Sequence, residues 1–235
     1  MRIDMHVHTS RYSECSIMTP GQMAAAAIRS GLDAVVITEH NVMWSHEETQ
    51  ALQAQFPALK LFRGVEVTTA HEDHLLVYGI TDDTSFYEGI PAGVLAENVH
   101  RDGGIVVLAH PCRYSDKIPE EIFAAGVDGV EMMSNNIRAY MKDGLRKTQK
   151  RLDAPCIVNS DAHAVESLGF FANEFRDEIK TERELAHAIM NQAYTIFYDE
   201  EKITEVNAHV DQNQAYRRRT KDMRLITTPI WSPSA

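Results

Sequence analysis

Two histidines two residues apart, His6 and His8 in Asp4-Met5-His6-Val7-His8, stand near the start of the chain. On a strand, alternate side chains point the same way, so both imidazoles face one site and can share one divalent metal. An isolated pair of this kind is weak evidence. Four further segments change the balance: Thr38-Glu39-His40, Gly64-Val65-Glu66, Ala109-His110-Pro111 and Ser160-Asp161-Ala162-His163. Each places a metal-capable side chain on or just after an apolar, β-rich run, and His74 heads another such run. Any one of these histidines alone is more simply a satisfied core or loop residue. The set is not, because imidazoles and carboxylates gathered at strand ends make a mixed shell suited to zinc, manganese or iron. His46, His71, His100, His187 and His209 lack such partners in the pattern and are assigned to surface or local structure.

The elements that must position these residues alternate along the chain. Strand candidates run Arg2 to His8, Ala34 to Thr38, Lys60 to Thr68, His74 to Ile80, Gly104 to Ala109, Gly129 to Met132 and Pro155 to Asn159, with a last one from Tyr194 to Tyr198. Helical patterns fill the gaps: Ala24 to Ser30, preceded by Thr19-Pro20 as N-cap and first turn and closed by Gly31, then Ser45 to Gln55, Ala92 to Asp102, Pro119 to Ala125, Arg138 to Arg151 and Thr181 to Asn191. Repeated βα units of this kind predict a mostly parallel sheet, and a barrel with its active site at the C-terminal strand ends fits best. Residues 1–199 are expected to form one barrel domain and residues 200–235, polar and carrying Arg217-Arg218-Arg219, a helical and extended tail.

The segments DMHVHTS, VVITEHN, GVEV, HLLVYG, AHP and NSDAH resemble, in order, the motifs of the PHP (polymerase and histidinol phosphatase) family of metallohydrolases. The resemblance runs from Arg2 to about Phe171 and implies a distorted (β/α)7, TIM-like barrel with two or three divalent ions. It implies that His6 and His8 bind one metal with Glu66 and Asp161, that Glu66 bridges to a second completed by His74 and His110, and that His40 and His163 hold a third. The family's first loop usually supplies an aspartate to that third metal. This chain reads His8-Thr9-Ser10-Arg11-Tyr12-Ser13-Glu14, one residue longer and with glutamate, so Glu14 is the expected ligand. The family's TDH is TEH here, and Glu39 is expected to orient His40 or a neighbouring ligand.

The chemistry implied is hydrolysis of a phosphate ester by metal-activated hydroxide, with His6, His8, Glu66, Asp161 and His163 as the catalytic group. No GxSxG elbow or phosphate-binding glycine loop offers another nucleophile. Arg113 and Arg138 follow the fifth and sixth strands and are candidates for substrate phosphate, with Arg11 a weaker one. A small phosphorylated metabolite or nucleotide is the leading substrate class. A phosphodiester or oligonucleotide, a carbon–nitrogen amide, or a non-catalytic metal-stabilised binding module are the alternatives.

Composition bounds these readings. A chain of 235 residues, 44% hydrophobic and 24% charged, is that of a globular protein with one sizeable core, and no apolar run approaches the roughly 20 residues of a membrane span. The first residues enter a strand pattern with no leader, and the three cysteines lack CxxC spacing, so a cytoplasmic protein with free thiols is expected. A net charge of -11 argues against general nucleic-acid binding, although bound divalent ions would leave a locally positive pocket in an acidic body.

Overall fold

The structure is a computed structural model, and it describes residues 1–115, 117–213 and 221–231. The basic run Arg217-Arg218-Arg219 lies outside the described residues. The chain order is β1 (Arg2–Val7), α1 (Pro20–Arg29), β2 (Ala34–Ile37), α2 (His46–Gln55), β3 (Lys60–Arg63), β4 (Val65–Thr68), β5 (His74–Tyr78), α3 (Ala92–Arg101) and β6 (Ile105–Leu108). Then come α4 (Glu120–Ala124), β7 (Gly129–Met133), α5 (Lys142–Leu152), β8 (Cys156–Val158), β9 (Phe171–Phe175), α6 (Glu182–Met190), β10 (Tyr194–Tyr198) and α7 (Glu200–Gln212). Sequence punctuation sets the helix starts. Thr19 accepts from the Gln22 amide ahead of Pro20, and Ser45 and Glu48 form a reciprocal capping box that opens α2.

The strands form two five-stranded sheets, ordered β10-β9-β1-β2-β3 and β4-β5-β6-β7-β8. This corrects the expectation of a mostly parallel sheet: β4–β5, β5–β6, β1–β9 and β9–β10 pair antiparallel, and the other four pairs are parallel. The reason at β4–β5 is the short connection from Thr68 to His74, which returns the chain as a hairpin and cannot carry a crossover helix. The single expected strand from Lys60 to Thr68 breaks at Gly64, where a Cβ would stand 2.9 Å from Val36 Cγ1 and 3.0 Å from the Val77 carbonyl oxygen. A glycine lets the backbone pass from one sheet to the other at that crowded point. Single bridges also join the sheets at two places, Val7 with Ala162 and His40 with Glu66.

β9 is absent from the sequence reading because Asn173 and Glu174 interrupt its apolar run. Asn173 is nevertheless fully buried, donating to the Val158 carbonyl oxygen at 2.6 Å and accepting from the Val158 amide at 3.2 Å, so the amide side chain is satisfied inside the core. Buried apolar residues fall into three clusters, and α7 joins one of them through Ile203, which packs with Leu225 and Ile226. Asn207 of α7 clamps Leu225 with a bond to each side of its backbone. Among the described residues no helix is long and apolar enough to cross a membrane.

Candidate metal centre

β1 delivers His6 and His8 to one point, as the alternation requires: their Nε2 atoms are 3.0 Å apart and both side chains are fully buried. Asp161, just beyond β8, brings Oδ1 to 3.4 Å from each of these nitrogens. Glu66 on β4 lies among five imidazoles. Its Oε1 meets His74 Nδ1 at 2.8 Å and His110 Nε2 at 2.9 Å, while Oε2 has His40 Nδ1 at 3.0 Å, His8 Nε2 at 3.1 Å and His6 Nε2 at 3.4 Å. His163 Nδ1 is 3.5 Å from Asp161 Oδ1. The His8 ring stacks on those of His40 and His163, with centroid separations of 4.4 and 4.3 Å.

The ring orientations follow from what each outer nitrogen touches. His6 Nδ1 meets Glu131 Oε1 at 3.0 Å, and a carboxylate can only accept, so Nδ1 carries a proton and Nε2 is the nitrogen turned inward. His8 Nδ1 donates to Ser13 Oγ at 3.2 Å, and that hydroxyl donates to Glu39 Oε2 at 2.6 Å. Glu39 also accepts from the Thr9 amide at 3.0 Å and the Trp44 indole at 3.1 Å. Its orienting action therefore reaches His8 through a hydroxyl, and the same Ser13 Oγ accepts from the His40 amide at 3.2 Å. Glu131 is a buried residue that the sequence reading passed over. Its Oε1 also accepts from Asn159 Nδ2 at 2.9 Å, and its Oε2 accepts from the His110 amide at 2.9 Å. A lone glutamate inside the apolar strand Gly129-Val130-Glu131-Met132-Met133 was the signal that could have revealed it. Asp161 and His110 both sit at positive φ, 50° and 24°, an uncommon backbone for such residues and one that recurs at functional sites.

Electrostatics show what the cluster lacks. Burial alone would push the Glu66 carboxyl up, but His6, His110 and His40 hold it well below the usual carboxylate range. Asp161 is driven the same way against burial by His6, His8 and His110. Burial and then the neighbouring His8 push His163 down to about 4, so it is a neutral imidazole. Its Nδ1 lies 3.0 Å from the Asp161 carbonyl oxygen and donates to it, which leaves Nε2 with the lone pair. Behind the cluster, burial raises Asp4 to about 7. The decisive detail is that Glu66 Oε2 and Asp161 Oδ1 are fully enclosed and hydrogen-bonded to nothing, although nitrogens surround them at 3.0 to 3.5 Å. Lone pairs that converge on a common centre and not on one another are what a divalent cation requires, and buried unpaired carboxylate oxygens are otherwise costly. The residues fit metal ions: among the described residues four overlapping groups have ligand atoms within 4.8 Å of one another, namely His6-His8-Glu66, His6-His110-Asp161, His40-Glu66-His74 and His8-His40-His163.

Glu14, expected to complete a third metal, is exposed and stands outside all four groups. Its neighbour Ser13 is the loop side chain turned inward. Arg113 does reach the cluster, with Nη1 3.4 Å from His110 Nε2 and 3.7 Å from Asp161 Oδ2. Arg138 is not among the residues lining the cleft at the cluster; its backbone bridges to Leu225. Arg11 pairs with Glu48 and lies over Tyr12 and Trp44, outside the cleft. Of the histidines set aside, His71 pairs with Glu121 and His100 with Asp128, each at 2.7 Å.

A mixed α/β fold with this cluster at its strand ends defines a metal-dependent hydrolase. The chain belongs to the PHP domain family, whose model matches residues 4–209, and it is an enzyme of the metal-dependent phosphoesterase class. Over 156 residues it is 26% identical to the uncharacterised protein MJ1587 of Methanocaldococcus jannaschii, covering 62% of this chain and 86% of that one. A two-domain protein from Bacteroides vulgatus, containing a predicted PHP-like metal-dependent phosphoesterase, superposes with a TM-score of 0.66 at 17% identity, over 85% of this chain. This chain spans 65% of that structure. A Bifidobacterium adolescentis protein assigned as a metal-dependent phosphoesterase gives a TM-score of 0.56 at 17% identity, covering 81% of this chain and 96% of that one. At these identities the two structures speak to the fold alone.

Proposed function

We propose that the protein hydrolyses the phosphate monoester of a small metabolite or nucleotide. The observation that carries this reading is the pair of enclosed, unpartnered oxygens, Glu66 Oε2 and Asp161 Oδ1, beneath an open cleft of about 470 Å³ that Arg113 also lines. His6, His8, Glu66 and Asp161 would hold one ion, with His74 and His110 sharing Glu66 with a second and His40 and His163 flanking His8 for a third. Bound divalent ions would supply Lewis-acid stabilisation of the phosphoryl oxygens and ready deprotonation of water. Arg113 offers a guanidinium fork to the phosphate. The neutral His163, its Nδ1 spent on the Asp161 carbonyl oxygen, keeps the Nε2 lone pair for the ion it would share with His8 and His40. Glu131, Asn159, Ser13 and Glu39 keep the imidazoles aimed inward, so the site is preorganised before substrate arrives.

We read the two sheets as halves of one distorted barrel, supported by the bridges Val7 with Ala162 and His40 with Glu66. Three free cysteines favour a cytoplasmic location. The diester and oligonucleotide reading rests mainly on the basic run outside the described residues.

Elemental analysis of protein prepared without chelator is expected to find at least two divalent ions per chain. Metal-replete protein should then hydrolyse members of a panel of sugar, amino-alcohol and nucleoside monophosphates faster than bis(p-nitrophenyl) phosphate. Asp161→Asn keeps the shape and removes the charge, so both metal content and turnover should fall by at least about 10- to 100-fold, the loss typical of more remote changes at metal sites. Full activity in Asp161→Asn, or a preference for the diester, would overturn the assignment.

A further inference from the structure

Asp161 divides its two carboxylate oxygens between different partners. Oδ1 faces the ring nitrogens of His6 and His8 and accepts no hydrogen bond, whereas Oδ2 accepts from the side-chain amide of Asn136. A carboxylate free to turn about its last bond could present either oxygen to an ion, so a donor fixed on one of them sets which lone pairs face the cluster. Arg113 Nη1 also approaches Oδ2, but at 3.7 Å it is beyond hydrogen-bond range.

The loop that carries Asn136 is held from two sides. Toward the cluster, Asn135 donates its backbone N–H to the Ser160 carbonyl oxygen and its side-chain amide to that of Ser167, each at 3.0 Å. Away from the cluster, the chain passes through the buried Ile137 and then pairs with the C-terminal segment. Arg138 bridges to Leu225, the Ala139 N–H donates to the Arg224 carbonyl oxygen at 2.8 Å, and the Tyr140 N–H donates to that of Asp222 at 3.1 Å. Leu225 and Ile226 are themselves buried, and Asn207 of α7 grips the Leu225 backbone through bonds of 3.2 and 2.7 Å. Three successive residues of the loop thus rest on a segment beyond residues 4–209, the part of the chain that the family model matches.

We infer that Asn136 is a positioning residue for the metal ligand Asp161, and that the C-terminal segment 221–231, anchored by Asn207, holds Asn136 in place. This rests on the metal assignment of Asp161 and is independent of which phosphate ester is the substrate.

The test reads zinc and manganese affinity by competition with a chromophoric chelator, and hydrogen exchange at the Ala139 and Tyr140 amides. Asn136→Ala and Asn136→Leu, the second of which fills the space without a donor, should each weaken binding about 10- to 100-fold, as when an outer partner of a metal ligand is removed. Asn207→Ala should speed exchange at both amides and weaken binding in the same direction. Asn207→Asp, which keeps an acceptor for the Leu225 amide, takes its place if the alanine variant does not fold. Because segment and side chain act through one bond, the double variant should bind no more weakly than Asn136→Ala alone. Wild-type affinity in Asn136→Leu would overturn the positioning role. Faster exchange with unchanged affinity in the Asn207 variant would reduce the segment to a cover for the core, and losses that multiply in the double variant would break the link between the two. Wild-type protein that binds neither ion would instead remove the metal assignment of Asp161, and this inference with it.

Discussion

Glu14 and His163 separate a ligand suggested by resemblance from one supported by geometry. The resemblance places the first-loop glutamate on a metal beside His40 and His163, yet its side chain is exposed, and one group of ligand atoms consists of His8, His40 and His163. Glu14→Ala should therefore leave the metal content unchanged within error, whereas His163→Ala should lower it, both read by elemental analysis of the purified variants. A loss of one ion per chain in Glu14→Ala would restore the glutamate as a ligand and require the loop to move inward. The neutral state of His163 belongs to the same scale. Burial and the adjacent His8 keep it unprotonated at neutral pH, so its lone pair is available without a prior deprotonation.

At the scale of the element, β7 does more than fill the second sheet. It carries Glu131, whose two oxygens hold the ring of His6 on β1 and the backbone amide of His110 beyond β6, so one strand tunes ligands from two others. In Glu131→Gln the amide nitrogen has no acceptor to face, because all three of its present partners are donors. Metal affinity, measured by competition with a chromophoric chelator, is expected to fall about 10- to 100-fold while far-UV circular dichroism keeps the wild-type shape. Unchanged affinity would reduce Glu131 to a packing residue. The hairpin β4–β5 has a comparable role: its short turn sets Glu66 directly against Leu76, and His74 at the head of β5 lies two side chains from it across the ladder.

For the whole molecule, the metal cluster is a burden on stability unless it is filled. Glu66 and Asp161 are enclosed carboxylates between strands of both sheets, and binding of ions to the folded state alone adds RT ln(1 + [L]/Kd), about 2.7 kcal/mol per site at a hundredfold excess over Kd. Dialysis against chelator should lower Tm by several degrees, and added zinc or manganese should restore it in a concentration-dependent manner. A Tm indifferent to chelator and metal would show that imidazolium charges satisfy the carboxylates instead. The sequence alone determined the part of this that local rules govern: the alternation that turns His6 and His8 one way, the caps at Thr19 and Ser45, the apolar runs of most strands, and the ordered motifs of the family. Those are properties of residues a few positions apart. Tertiary structure alone decided the rest. Antiparallel pairing in each sheet, the passage through Gly64, and the strand at Phe171–Phe175 depend on partners far along the chain. Glu131 took on meaning only once β1, β6 and β7 were side by side, and the fold of the first loop leaves Glu14 exposed while Ser13 faces inward. A carboxylate's role is set by which nitrogens end up within about 3 Å of it, and no spacing along the chain encodes that distance.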